Sequence, residues 1–271
     1  MPDIFPGVTV CDDVREADWL RASLRPWRER GLPVATFRPV AALVPAAYPA
    51  HGRILHRART GSDLLRWAEV AALTGQRLDA ETQYGELIGW QWDGDHQRPP
   101  EPWGEPEQGS LRPDECAAVA EVLSGYTTTP DDCWFCVWEG YGWDELERLR
   151  ARAGFVAAPD GGRVDPEADD HTVKQAVFPV AVPVAPLVHL ENRDCILFRG
   201  PVTAVTVFRS GPMYQSPTLW WPTDRAWCVA SELDIYSTYV AAAPAALRAL
   251  IDHPALEVLE CTAEQVIDRG P

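Results

Sequence analysis

Residues 216–240 read SPTLWWPTDRAWCVASELDIYSTYV, and this stretch combines three tryptophans with a few charged and hydroxyl groups. Alternation along a strand places Trp227 and Val229 on one face. The intervening Cys228 and Ala230 point to the other face. Both faces are partly apolar, which is typical of a strand buried in the middle of a protein. We therefore expect this stretch to form the structural centre of the fold.

The same stretch has the composition of a ligand pocket or a protein-binding surface. Tryptophan rings supply contact area at a low entropic cost, and neighbouring polar groups orient the bound molecule. A turn at Asp224 and Arg225 lies beside the rings, and loops held by rigid elements often carry binding residues. The predicted binding residues of this stretch are Trp220, Trp221, Asp224, Arg225, Trp227 and Glu232.

A basic segment at residues 51–59, HGRILHRAR, is the second candidate. Strand periodicity places His51, Arg53 and Arg57 on one side of the chain. Guanidinium groups bind phosphates and carboxylates with two parallel hydrogen bonds, so His51 and Arg53 are predicted binding residues. The alternative is a solvated strand face whose charges balance nearby acids.

The sequence carries no recognisable catalytic signature. It has no glycine-rich phosphate loop, no serine elbow and no zinc-protease helix. Glu232 and Asp234 form an acid pair on one predicted strand face, for which an exposed polar face is the alternative. Ser237 and Thr238 follow, but no histidine lies near them in the sequence to complete a hydrolytic triad.

Cys133 and Cys136 have the spacing of a metal or redox motif within the apolar segment CWFCVW. In a strand these two side chains point to opposite faces and cannot bind one metal ion together. The other five cysteines are isolated, and the first residues do not resemble a secretion signal, so we predict reduced, buried thiols. We predict no metal site and no cofactor.

The chain of 271 residues carries 40 acidic and 24 basic side chains, a formal net charge of −16. This charge repels phosphate backbones and anionic membranes, so neither nucleic acid nor a membrane is an expected partner. A basic protein partner is favoured, because opposite charge accelerates encounter. No apolar run reaches the roughly 20 residues needed to cross a bilayer, and we predict a cytoplasmic protein.

The order of helical and extended patterns predicts an α+β fold, with a mainly antiparallel sheet and helices packed on one face. Helices are predicted at residues 12–24, 60–73, 113–123, 143–153 and 243–252. Strands are predicted at residues 33–37, 51–59, 85–92, 133–138, 195–198, 202–208, 226–233 and 256–260. Residues 173–190 are predicted to be either an edge strand or an extended crossing segment, and residues 159–170 a loop. We predict one domain, 1–271. If the chain divides, it does so at the proline-rich acidic loop 93–109, into 1–92 and 110–271.

Three motifs resemble an uncharacterised family of actinobacterial proteins. They are CWFCVWEGYG at residues 133–142, FRGP at residues 198–201 and LWWPTDRAWCVASELDIYSTYV at residues 219–240. The resemblance is clearest over residues 127–142 and 197–240 and looser over residues 51–57. It implies no particular activity, cofactor or catalytic residue.

The leading functional hypothesis is a non-catalytic protein that binds a basic partner such as a toxin domain, as an immunity protein does. The alternative is an enzyme or a small-ligand receptor with an aromatic pocket between Trp220–Trp227 and the basic segment. The alternative requires the candidate residues to converge around one concave site, and a structure can test this.

Overall fold

The computed structural model describes residues 5–26, 39–91, 98–139, 185–191, 193–210 and 213–267. Its α-helices are α1 (Asp18–Ser23), α2 (Trp67–Thr74), α3 (Tyr84–Ile88), α4 (Pro113–Ser124) and α5 (Pro244–Ile251), with 3₁₀ segments at Arg15–Ala17, Val40–Ala42 and Val202–Thr206. Its strands are β1 (Thr9–Val10), β2 (Ala50–Leu55), β3 (Ala58–Thr60), β4 (Asp63–Leu65), β5 (Trp103–Gly104), β6 (Cys133–Trp138), β7 (Leu187–Leu190), β8 (Arg193–Gly200), β9 (Arg209–Ser210), β10 (Met213–Tyr214), β11 (Leu219–Pro222), β12 (Cys228–Ser231), β13 (Ser237–Ala242) and β14 (Val258–Cys261).

One large antiparallel sheet organises the fold. Its strand order is β1–β8–β6–β11–β12–β13–β2–β14, and β7 pairs with the first half of β8. Two small sheets accompany it, one of order β4–β3–β5 and one formed by β9 and β10. The predicted α+β class with a mainly antiparallel sheet is therefore confirmed.

Residues 216–240 supply three neighbouring strands, β11, β12 and β13, near the middle of this sheet. Trp227 and Val229 lie in the hydrophobic core on one face, to which the longer helices α4 and α5 contribute. Cys228 and Ala230 lie in the core on the other face, to which the short helix α1 contributes. The predicted alternation is confirmed, because hydrogen bonds on both sides and apolar cover on both faces bury all of β12.

The two cysteines of β6 lie in different cores, as predicted. Cys133 belongs to the core beneath α4 and α5, and Cys136 to the opposite core. All seven cysteines are free thiols, and six of them are buried. The pair therefore contributes to packing on both faces of the sheet.

The basic segment forms a shorter strand than the one predicted at 51–59. β2 ends at Leu55, and after His56 and Arg57 the chain continues as β3 in a small sheet. In the large sheet β2 lies between β13 and β14, so a strand of the first half pairs with strands of the second half. The large sheet thus includes strands from both sides of the loop 93–109, within which β5 pairs with β3.

Two predicted strands are wrong. The segment 85–92 contains helix α3, because the Glu86 side chain accepts the Gln83 backbone N–H at 2.9 Å and Gly89 ends the helix with a φ of 64°. The segment 202–208 contains a 3₁₀ helix that begins directly after Pro201. In its first turn the Ala204 N–H donates to the Pro201 carbonyl oxygen. In both cases local hydrogen bonds outweigh the preference of the side chains for a strand.

The helix predicted at 60–73 begins later than expected. Residues 63–65 form β4, which turns back onto β3 through Gly61 with a φ of 57°. Helix α2 begins at Trp67, where the Glu257 carboxylate accepts the backbone N–H groups of Trp67 and Ala68 at 2.7 and 2.8 Å. The helix ends at Thr74, one residue beyond the predicted end, because Gly75 adopts the left-handed conformation with a φ of 71°.

The remaining predicted elements agree with the structure where it describes them. Helices α4 and α5 and strands β6, β8 and β14 overlap their predicted segments, and α1 covers the second half of residues 12–24. The strand at 33–37, the helix at 143–153, the loop at 159–170 and most of the segment 173–190 lie outside the described residues. Within the described ranges, no helix has the length and apolar character needed to span a membrane.

Candidate functional site

The three tryptophans of residues 216–240 are core residues. Trp220 and Trp227 are buried against each other, with ring centroids 5.1 Å apart in an edge-to-face arrangement. Trp221 is buried on the opposite face, edge-on to Trp19 at 5.9 Å. None of the three lines either of the two cavities described below. These three rings are therefore not open to a ligand in this structure, because neighbouring strands and helices cover both of their faces.

The turn that follows the paired tryptophans is exposed, as its composition suggests. Asp224 accepts hydrogen bonds from the Thr127 hydroxyl at 2.8 Å and from the Thr128 backbone N–H and hydroxyl at 2.7 and 2.8 Å. Partial burial alone would raise the pKa of Asp224, but these hydrogen bonds lower it below its ordinary value. Asp224 thus ties its turn to the segment that leads into β6.

Arg225, the next residue in this turn, adopts a φ of 54°, which residues other than glycine rarely adopt. Its guanidinium lies 5.1 Å from the centre of the Trp19 ring and 3.9 Å from the Glu16 carboxylate. The Tyr48 hydroxyl donates a hydrogen bond to its carbonyl oxygen at 2.6 Å. Arg225 therefore connects the turn to the surface around α1.

His51 and Arg53 are buried, which contradicts both a solvated basic face and an accessible anion site. The side chain of Arg53 donates to the Ser237 hydroxyl at 2.9 Å and to the carbonyl oxygens of Ala80 and Thr82 at 3.0 and 2.8 Å. A His51 ring nitrogen lies 3.1 Å from the Pro45 carbonyl oxygen. β2 is paired on both sides, so its basic side chains bind interior backbone groups.

Glu232 is buried just beyond the end of β12 and forms an ion pair with Arg193 at the start of β8. Asp234 lies two residues further on and is exposed. The two acids therefore do not share a strand face, because β12 ends at Ser231 before either of them. The predicted acid pair is not formed.

A histidine does reach the hydroxyl groups that follow Glu232, although it is distant in sequence. The Nε2 atom of His56 lies 2.8 Å from Thr238 Oγ1, and Thr238 Oγ1 lies 2.7 Å from Ser231 Oγ. The other ring nitrogen lies 2.6 Å from the Glu107 carbonyl oxygen. All three hydroxyl and imidazole groups are buried and line neither described cavity. These hydrogen bonds therefore connect the residue after β2 with strands β12 and β13.

One polar concave surface is not predicted by the motifs. A groove of about 790 Å³, which we call the acidic groove, lies where β1, β8 and β6 are neighbours. Pairing places Arg199 opposite Thr9 on one side and Trp134 on the other. The side chains and backbone that line the acidic groove belong to Gly7, Thr9, Cys11, Asp12, Asp13, Asp131, Asp132, Trp134, Arg199 and Gly200.

The acidic groove has a negative net charge, because four carboxylates line it and two of them are paired, Asp132 with Arg199 and Asp13 with Arg15. Arg199 donates to both oxygens of Asp132, at 2.5 and 2.8 Å, and holds the pKa of that carboxyl below its ordinary value. Hydrogen bonds from Arg15 lower the pKa of Asp13 to about 2. Burial raises the pKa of the Cys11 thiol to about 11, so this side chain is uncharged at neutral pH.

The predicted turn at Asp224 borders the acidic groove. The Thr223 backbone N–H donates to the Asp132 carbonyl oxygen at 2.9 Å, and the Trp134 indole N–H donates to the Thr223 hydroxyl at 2.8 Å. Of the eight predicted binding residues, Asp224 and Arg225 are the two exposed ones, and they follow Thr223 in this turn without lining the groove. The signal for the groove in the sequence is a pair of aspartates after β1 and another before β6.

Chemically, the acidic groove suits the binding of cations. Within the described ranges, no group of three or more histidine, cysteine, aspartate or glutamate side chains is arranged to hold a metal ion. The carboxylates instead line an open groove, where guanidinium and ammonium groups of a partner can pair with them.

Comparisons of the chain with protein-family models, with curated proteins and with solved structures give no match.

Proposed function

We propose that this protein is a non-catalytic interaction protein that binds a basic protein partner, in the manner of an immunity protein, through the acidic groove. The observation that carries the proposal is the meeting of Asp12, Asp13, Asp131 and Asp132 in one groove beside the Asp224 turn. A cytoplasmic location and membership of the actinobacterial family belong to the same proposal. The family motifs fall in β6, at the end of β8 and in β11 to β13, which are neighbouring strands.

Charge supports this function in two ways. The net charge of −16 attracts a basic protein from a distance and raises the rate of encounter. At short range the groove combines carboxylates with the Trp134 and Arg199 side chains, whose ring and guanidinium lie 5.0 Å apart. The Trp134 ring lines the groove but is only 7% exposed, so the carboxylates supply the short-range attraction. The aromatic pocket is not carried into the proposal, because its rings are buried.

Neutralising two exposed acids of the groove is expected to weaken binding of a basic peptide. In the double variant D12N/D131N we expect about tenfold weaker binding of a nona-arginine peptide at low salt, because each lost charge pair contributes up to about 1 kcal/mol. Binding is measured by fluorescence anisotropy. The control E121Q/D252N has the same net charge but alters exposed acids outside the groove lining. Equal weakening in both double variants would show that only total charge matters and would reject the groove.

The pH dependence of this binding follows from the lowered pKa values of Asp13 and Asp132. A carboxyl with a lowered pKa keeps its negative charge below the ordinary aspartate pKa of about 3.9. We therefore expect nearly constant peptide affinity from about pH 8 to pH 4, and a loss from these two acids only as the pH falls toward their lowered pKa values, about 2 for Asp13. In R199Q the pKa of Asp132 should return toward its ordinary value, so the loss should begin at a higher pH. A decline already between pH 7 and pH 6 would contradict the assignment.

A further inference from the structure

A second cavity lies on another part of the surface and shares no lining residue with the acidic groove. Its volume is about 260 Å³, and it lies between the end of α1, the 3₁₀ segment Val40–Ala42, the β7–β8 hairpin and strands β11 and β12. We call it the arginine cavity. Its basic lining consists of Arg21, Arg25, His189 and Arg193. A concentration of positive groups around one cavity is unexpected in a chain with a net charge of −16.

The guanidinium groups of the arginine cavity are held in place by hydrogen bonds. Arg21 donates through Nε to the His189 carbonyl oxygen at 3.0 Å and through Nη1 to Asp18 at 2.9 Å. These two bonds use Nε and one Nη of Arg21, and a guanidinium has five N–H donors. Arg25 is held by the Glu264 carboxylate. Arg21 therefore combines a fixed position with remaining donors for an anion.

The Arg193–Glu232 ion pair lies deeper at this cavity. The two side chains are 8% and 7% exposed. Burying an ion pair has a large desolvation cost, and loss of either partner would leave the other charge buried without compensation. Here Glu232 holds the Arg193 guanidinium at the cavity wall. Glu232 was predicted as a binding residue from the sequence, and in the structure its contact is with a lining residue of the arginine cavity.

The rest of the lining is mostly apolar. Hydrocarbon surface comes from Leu24, Pro26, Ala42, Leu43, Leu190, Leu219 and Ala230, Thr218 adds a hydroxyl, and Glu191 adds one carboxylate beside the four basic side chains. The cavity is smaller than the range of about 300–1,000 Å³ that holds drug-sized ligands. Its chemistry thus matches a small molecule with one anionic end and one short hydrocarbon end.

We propose that the arginine cavity binds a small carboxylate with an apolar side group, its carboxylate on Arg21 and Arg25 and its hydrocarbon part against Leu24, Leu43 and Leu219. This site does not depend on the groove proposed above. The two sites share no lining residue, so failure of peptide binding would not affect the carboxylate proposal, and failure of carboxylate binding would not affect the groove proposal.

The test uses 4-methylpentanoate as the probe, added to the full-length protein at constant ionic strength. We expect saturable 1:1 binding by calorimetry and a melting temperature that rises with probe concentration, because a ligand of the native state stabilises it. Acetate lacks the hydrocarbon end, 4-methylpentanamide lacks the charge, and inorganic phosphate lacks the hydrocarbon. Each of the three is expected to bind at least about tenfold more weakly, since hydrogen bonds to charged groups and apolar burial each contribute on that scale.

The variant R21Q/R25Q is expected to bind 4-methylpentanoate at least about tenfold more weakly. The matched control R77Q/R248Q removes the same charge at exposed arginines outside the cavity and should change affinity less than about twofold. The four arginines are exposed, so both variants should fold, and the comparison of the probes on unaltered protein needs no substitution. The proposal is overturned if 4-methylpentanoate does not bind saturably, if both variants lose affinity equally, or if phosphate binds as tightly.

Discussion

Replacing Trp227 by alanine is expected to lower the free energy of unfolding by about 3–5 kcal/mol, the usual range for removing a buried large aromatic side chain. Trp227 is fully buried, its ring meets Trp220 edge-to-face at 5.1 Å, and its indole N–H donates to the Leu123 carbonyl oxygen at 3.0 Å. Alanine would leave a cavity between β12 and α4. Denaturant unfolding followed by circular dichroism measures the change.

Two further variants separate the contributions at this position. Trp227→Phe keeps most of the ring volume and loses the hydrogen bond to α4, so it should cost about 1–2 kcal/mol. Tyr126→Ala removes an aromatic side chain that is 38% exposed and should change stability by less than about 0.5 kcal/mol. If Trp227→Ala cost no more than Tyr126→Ala, the ring would not be a core residue and the aromatic pocket would have to be reconsidered.

Replacing Arg53 by methionine should also destabilise the protein by about 3–5 kcal/mol, because buried acceptors lose the charged donor that satisfies them. The Arg53 side chain is buried, and its donors bind the Ser237 hydroxyl and two carbonyl oxygens. Its guanidinium also lies 5.1 Å from the centre of the Trp67 ring. Methionine fills similar space but leaves these buried acceptors without their donor, at about 1–3 kcal/mol each.

Arg53→Lys tests whether geometry or charge matters at this position. A lysine ammonium cannot reproduce the planar fork that reaches Ser237, Ala80 and Thr82 together, so we expect a substantial loss here as well. Arg77→Met, at a side chain that is 88% exposed, is the matched control and should lie within about 0.5 kcal/mol of the parent. A stable Arg53→Met protein would show that the interior does not need the guanidinium and would favour a binding role for Arg53.

The elements that could be predicted from the sequence are those with strong local signals. Helix α4 begins with proline and two acids in its first turn, and α2 ends at a glycine in the left-handed conformation. The start of α2 could not be predicted, because a glutamate almost two hundred residues later accepts its first backbone N–H groups. Helix α3 could not be predicted either. Its residues have a strand-like composition, and the helix forms because the Glu86 side chain caps the Gln83 backbone N–H.

The candidate site was predicted only in part. Composition correctly placed an exposed turn at Asp224 and Arg225, since a buried strand must be followed by a reversal of the chain. It could not show that His51 and Arg53 are interior, because burial of β2 depends on pairing with both β13 and β14. Nor could it place His56 beside Thr238, since these residues meet only through that same pairing.

What the sequence alone determines is the two-faced apolar strand in residues 216–240, because alternation is a local property of the chain. That stretch is the structural centre, with Trp227 and Cys228 in opposite cores. Only the tertiary structure determines which charged side chains lie together at the surface. The acidic groove exists because β1, β8 and β6 are neighbours, and the arginine cavity because α1 packs beside the β7–β8 hairpin. Both sites join residues far apart in the sequence, and only long-range strand pairing and packing bring such residues together.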